Sequence, residues 1–132
     1  MNALTIGPGC LAVMLAALVA VSAQTGSAPF KSGEYLEFKE EYARSVFDHF
    51  LYDKMQHPGT IGCVIVYGSK KEAKKRENLA FLHFGYRGAK LNEFVFLRGG
   101  RRGAARTELW IVPLGAPLPR PEPEQNQDRR SN

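Results

Sequence analysis

The segment Ile61-Gly-Cys-Val-Ile-Val-Tyr67 constrains this chain more than any other. It is an unbroken apolar, β-branched run with no polar alternation, which is how a strand covered on both faces reads. A strand of that kind needs elements on either side of it in the sheet and at least one layer of helices. Upstream, Tyr35, Leu36 and Phe38 favour a strand over Phe30 to Phe38, leading into Lys39-Glu40-Glu41, where the acidic pair suits a helix start. Tyr42, Val46, Phe47, Phe50, Leu51 and Met55 then recur at three- and four-residue steps, an apolar stripe wide enough to cover a sheet. His57-Pro58-Gly59 ends that helix.

Downstream, Gly68-Ser69 turns the chain into a second helix. Ala73, Leu79, Ala80, Leu82, His83 and Phe84 are expected to face inward, with Lys70, Lys71, Glu72, Lys74 and Lys75 outward. Gly85 to Gly88 stops it. Phe94 to Leu97 reads as a third strand, Arg98 to Ala105 as a glycine- and arginine-rich connection, and Thr107 to Val112 as a fourth strand closed by Pro113. The order βαβαββ predicts an α/β domain of the α+β two-layer type, with about four strands and both helices on one face.

The ends of the chain read differently. Cys10 to Val21 is apolar throughout, too short to span a bilayer comfortably, and followed by the small-residue pattern Val21-Ser22-Ala23. Residues 1–23 are therefore expected to be a signal peptide cut after Ala23, although no Lys or Arg opens the segment. Residues 24–29 form a flexible leader, 30–116 the domain, and 117–132 a proline-rich tail with almost nothing apolar to bury, expected to be disordered or extended. These expectations place the mature chain outside the cytoplasm, periplasmic or secreted, with no transmembrane span. Its formal charge of +5 favours anionic partners, and export leaves little occasion to meet nucleic acid.

Few residues suggest chemistry. Cys10 leaves with the signal and Cys63 remains alone, inside the most apolar strand, where burial raises a thiol's pKa. His49, His57 and His83 show no metal-ligand spacing on one helix face. The carboxylates Glu34, Glu37, Glu40, Glu41 and Asp48 cluster around the first helix, where dipole complementation and solvation account for them. Glu93 and Glu108 are expected to meet solvent or arginine. Neither a catalytic constellation nor a cofactor is called for. The densest basic segment is Lys70 to Arg76, which reads first as a solvated helix face and second as an anion site, because Gly68-Ser69 sets a helix N-terminus at the end of the central strand.

Ile61-Gly-Cys-Val-Ile-Val-Tyr-Gly68, Arg76-Glu-Asn-Leu-Ala80, Gly99-Gly100 and Thr107-Glu-Leu-Trp-Ile-Val-Pro113, taken in this order, resemble a degenerate member of the OmpA-like domain superfamily. The chain is also similar to small exported bacterial proteins that close on Gly-Gly, Glu-Leu-Trp-Ile-Val-Pro-x-Gly-Ala and a proline tail. The superfamily resemblance implies a βαβαβ-type fold in the cell envelope and non-covalent binding of peptidoglycan stem peptides. Typical members hold the diaminopimelate group with an aspartate after the central strand and an arginine on the next helix. Arg76 would take the arginine's place, while Ser69-Lys70-Lys71 stands where the aspartate is expected.

The functional expectation is a non-enzymatic envelope module that binds wall material or another anionic, carboxylate-bearing ligand. Its candidate contacts are Ser69, Lys70, Lys71, Arg76, Arg101 and Arg102. The alternative is a protein-interaction or scaffold domain without a ligand pocket, engaging an envelope protein through a sheet edge or the tail.

Overall fold

A computed structural model describes residues 27–101 and 103–121. The expected signal segment 1–23, residues 24–26 of the leader, Arg102 and residues 122–132 of the expected tail lie outside the described residues. In chain order the elements are β1 (Phe30–Tyr35), α1 (Glu40–Gln56), β2 (Thr60–Tyr67), α2 (Lys70–Tyr86), a 3-10 turn at Leu91–Glu93, β3 (Phe94–Gly100) and β4 (Arg106–Pro113). This is the βαβαββ order of an α+β fold. No described helix is long and apolar enough to cross a membrane.

The four strands form one mixed sheet in the order β1-β4-β2-β3. β2 and β3 are parallel, and β4 runs antiparallel to both of its neighbours. The apolar β2 ribbon is thus interior, and every residue from Gly62 to Tyr67 is buried. Both helices pack on one face, where Phe47, Phe50, Ala80 and Phe84 meet Val64, Val66, Leu109 and Ile111. Aromatic rings dominate that layer: Phe84 stacks on Phe94 at 4.7 Å and meets Phe47 edge-on at 5.5 Å. They also explain the glycine in the middle of β2. A Cβ on Gly62 would lie 2.6 Å from Phe94 Cδ1 and 2.8 Å from Phe50 Cζ, so the strand leaves that space to the rings.

Side chains of β2 alternate between faces, so its other residues build a second cluster: Cys63, Ile65 and Tyr67 with Val112, flanked by Leu97, Trp110 and Ala116. Gly99 belongs to this face, since a Cβ there would sit 2.2 Å from Tyr67 Cε1. Glu108 is buried among these residues because it is fully engaged. It accepts from Trp110 Nε1 at 3.0 Å and Arg106 Nε at 3.5 Å, with Lys31 Nζ at 3.8 Å.

The structure departs from the sequence expectations in four places. β1 stops at Tyr35 rather than Phe38, because its last pairing is Tyr35 to Thr107 and β4 begins one residue before Thr107. β3 continues through Arg98 and Gly99 to Gly100, carried by the ladder to Val66 and Tyr67. Leu82 points outward, 68 % exposed. The inward set on α2 is Ala73, Arg76, Ala80, His83 and Phe84, and a residue two positions from both Ala80 and Phe84 lies across the helix axis, about 200° away. Tyr42 and Met55, at the two ends of the expected α1 stripe, are likewise exposed, lying off the meridian of Ala43, Phe47 and Phe50.

α1 and α2 are joined by Asp48. Its oxygens each accept from Arg87 at 2.9 Å, and one also meets His83 Nε2 at 2.7 Å. The Arg87 hydrogen bonds, with His83 adding to them, hold the Asp48 carboxyl below its ordinary 3.8. A carboxyl depressed in the folded state contributes stability above its unfolded pKa and loses it as pH falls through the folded value. In acid thermal melts, Asp48→Asn is therefore expected to show a shallower fall in midpoint below about pH 4 than the wild type, from a lower starting point at neutral pH.

Candidate functional site

The carboxyl ends of β2 and β3 lie side by side, and the next residue of each matters. Gly68 N donates to Gly100 O at 2.9 Å, drawing the start of α2 against the beginning of the β3–β4 connection. Ser69 caps α2, its hydroxyl accepting from Glu72 N at 3.2 Å. Lys70 and Lys71 occupy the exposed first turn, and Arg101, the exposed residue directly after Gly100, leaves the sheet at the same end. Ser69, Lys70, Lys71 and Arg101 thereby share one rim of the sheet, and none of its three cations forms an ion pair with the described residues. Arg102 lies outside the described residues. The α2 N-terminus adds its dipole and its first backbone N–H groups to the same positive potential.

Arg76 is placed beneath this rim instead of on it, only 2 % exposed. Its Nε donates to Glu72 Oε1 at 3.0 Å, Nη1 to Thr107 Oγ1 at 3.2 Å and to Tyr35 O at 3.5 Å, and Nη2 to Leu36 O. The guanidinium also lies over the Tyr35 ring at 5.2 Å. Arg76 therefore clamps the end of β1 to α2 and β4 with donors that a surface ligand would otherwise need. Lys75 is engaged too, its ammonium 4.2 Å from the Phe38 ring, which fixes the β1–α1 connection against α2. Arg98, a neighbour of the rim, is paired with Glu77 at 2.7 Å. The Tyr35 hydroxyl is buried with no hydrogen-bond partner among the described residues, and burial raises its pKa above 10.0.

Reading the sequence did not identify Tyr35, Leu36 and Thr107 as the partners that take Arg76 out of solvent. The available signal was phase: Arg76 falls three residues after Ala73 and four before Ala80, on the inward stripe.

Cys63, the histidines and several of the remaining carboxylates are engaged elsewhere in the fold. Cys63 is fully buried, and desolvation, with the nearby charge of Glu108 adding to it, pushes its pKa up to about 11. His49 faces Asp53 at 3.3 Å, His57 Nδ1 lies 2.8 Å from Asp53 O, and His83 is tied to Asp48. Glu93 is bound to Lys54 and Glu108 to Arg106 and Lys31. Among the described residues no three His, Cys, Asp or Glu side chains are grouped to hold a metal ion. What the rim offers is cationic side chains and backbone donors at a helix start, which is equipment for holding an anion. No protein family, curated protein or solved structure matches the chain.

Proposed function

We propose that the chain is a non-enzymatic envelope module that holds an anionic, carboxylate-bearing ligand on the rim formed by Ser69, Lys70, Lys71 and Arg101. The observation that carries this reading is the Gly68–Gly100 hydrogen bond, which sets the arginine-glycine connection against the first turn of α2 and so brings Arg101 to the same end of the central strands as Lys70 and Lys71. Burial of Cys63 and the ion pairing of Glu93, Glu108 and Asp48 support binding over catalysis. The OmpA-like resemblance supports a wall target. Lysines in place of the expected aspartate invert the preference of the site, from a ligand ammonium to the carboxylates of the stem peptide. Arg76, in this reading, positions the rim by fixing α2 to the sheet and does not touch the ligand.

Co-sedimentation with isolated peptidoglycan tests the proposal. Wild-type retention is expected to fall with rising salt, because exposed charges are screened within a Debye length. Lys70→Ala/Lys71→Ala/Arg101→Ala should reduce it roughly tenfold, three exposed contacts each contributing modestly. Retention that ignores both salt and the triple substitution would remove the rim from the account.

One observation favours a second reading, a protein-interaction domain. Leu82 and Tyr86, one turn apart on the outer side of α2, are apolar residues 68 and 82 % exposed. An envelope-protein complex that survives the rim substitutions and is broken by Leu82→Asp would put this reading in place of the first.

A further inference from the structure

At the opposite pole, where both helices end and β2 begins, the described residues line an open cavity of about 730 Å³. Small-molecule sites commonly fall in that range of volume. Its walls are largely apolar: Leu51 and Met55 from α1, Ile61 from β2, Phe94 from β3 and Leu114 beyond β4. The apolar residues at its mouth are unusually bare for their size, Met55 at 76 % and Leu114 at 70 % exposure.

The charges in this cavity are not equivalent. The Asp48–Arg87 pair is closed, since Asp48 is held on both oxygens and also by His83. The Lys54–Glu93 pair is not. The Lys54 side chain is 13 % exposed and its ammonium lies 5.5 Å from the Phe94 ring, a cation fixed against the apolar wall. Glu93, on the 3-10 turn, is 45 % exposed and reaches Lys54 at 2.7 Å, its one ion pair within 4 Å among the described residues, with the charge of Lys90 acting on it from farther away. Lys90, also lining the cavity, is exposed and forms no ion pair among the described residues. Three cations thus face two carboxylates, and the Glu93 carboxylate, unlike Asp48, is held among the described residues by a single hydrogen bond from Lys54 while nearly half of its side chain faces water.

A lysine in the last turn of a helix complements the helix dipole whether or not anything binds nearby. That role does not account for an apolar cavity around the lysine, nor for its pairing with a carboxylate nearly half open to water. We propose that the cavity is a binding site for a small amphipathic monoanion, an aryl or alkyl carboxylate or sulfonate. The anionic group of the ligand replaces the Glu93 carboxylate at Lys54, and its apolar body fills the space between Leu51, Ile61 and Phe94. Glu93 is in this arrangement an internal competitor, and the site is independent of the rim.

The test is a fluorescence titration of the full chain with 1-anilinonaphthalene-8-sulfonate, followed by displacement with decanoate. One equivalent of dye is expected to bind and to be displaced. Lys54→Gln should weaken binding about tenfold, as loss of a charged hydrogen bond does. Glu93→Gln, an exposed change that leaves the fold intact, should strengthen it several-fold by removing the competitor. Lys70→Ala/Lys71→Ala/Arg101→Ala should leave it unchanged, which separates this site from the rim. Dye binding unaffected by both Lys54→Gln and Glu93→Gln, saturation at several equivalents, or association with phosphatidylglycerol vesicles but not with the soluble anions would each overturn the proposal.

Discussion

Arg76→Met is expected to cost on the order of 3 kcal/mol, because it strips a buried cation from four oxygen partners at once. Methionine keeps much of the packing volume and removes every donor. Tyr35 O and Leu36 O would then lose their guanidinium partner at the end of β1, Thr107 Oγ1 would lose its own, and Glu72 would keep its charge without its counter-ion. For a domain of this size, at about 4 to 8 °C per kcal/mol, the thermal midpoint should fall by roughly 12 to 24 °C. Arg76→Lys should recover only part of the loss, since a single ammonium cannot span acceptors on β1, α2 and β4 from one position. Calorimetry of the three proteins decides the matter. If the methionine variant melted within two or three degrees of wild type but lost wall retention, Arg76 would be a ligand contact and not a clamp.

The position of Arg76 shows why part of this fold was legible in the sequence and part was not. β2 announced itself because burial on both faces leaves a local signature, an apolar run without alternation. The limits of β1 and β3 have no such signature. They are set by register with β4 and β2, which is why Phe38 fell outside its expected strand and Gly100 fell inside one. The phase of α2 was obscured because an arginine occupies a core slot; a reader counting apolar residues assigns Leu82 inward, whereas the buried positions assign it outward. The rim was half visible. Ser69, Lys70 and Lys71 are contiguous and follow the central strand, but Arg101 joins them only through a hydrogen bond between residues 68 and 100. The cavity at the other pole was not legible, since its walls come from α1, β2, β3 and the segment beyond β4, and its two residues one turn apart, Leu51 and Met55, read only as part of the α1 stripe.

Cys63 should make the protein lose stability in alkali in a way that a single substitution can isolate. Burial raises its pKa from 9.0 to about 11, and below pH 9 the thiol is protonated in both the folded and unfolded chain, so it adds no pH dependence there. Between pH 9 and 11 the unfolded chain releases the proton and the folded chain retains it. The unfolded state then binds fewer protons, and stability falls as pH rises, by on the order of 2 kcal/mol across the window at about 1.4 kcal/mol per pH unit. Tyr35, whose pKa is raised from 10.0 by burial, slopes the same way above pH 10, so the informative quantity is the difference between wild type and Cys63→Ala in denaturant titrations from pH 8 to 11. The alanine variant should start lower, for the side-chain volume it lacks, and descend less steeply. The same burial predicts that iodoacetamide at pH 8 labels the folded protein at least about a hundredfold more slowly than the unfolded chain, from the thiolate fraction alone. Labelling of the folded protein at the unfolded rate would mean an accessible thiolate in the central strand. The case for a binding module would then lose one of its main supports, because that case holds the thiol out of nucleophilic chemistry and leaves the cationic rim as the surface that meets a ligand.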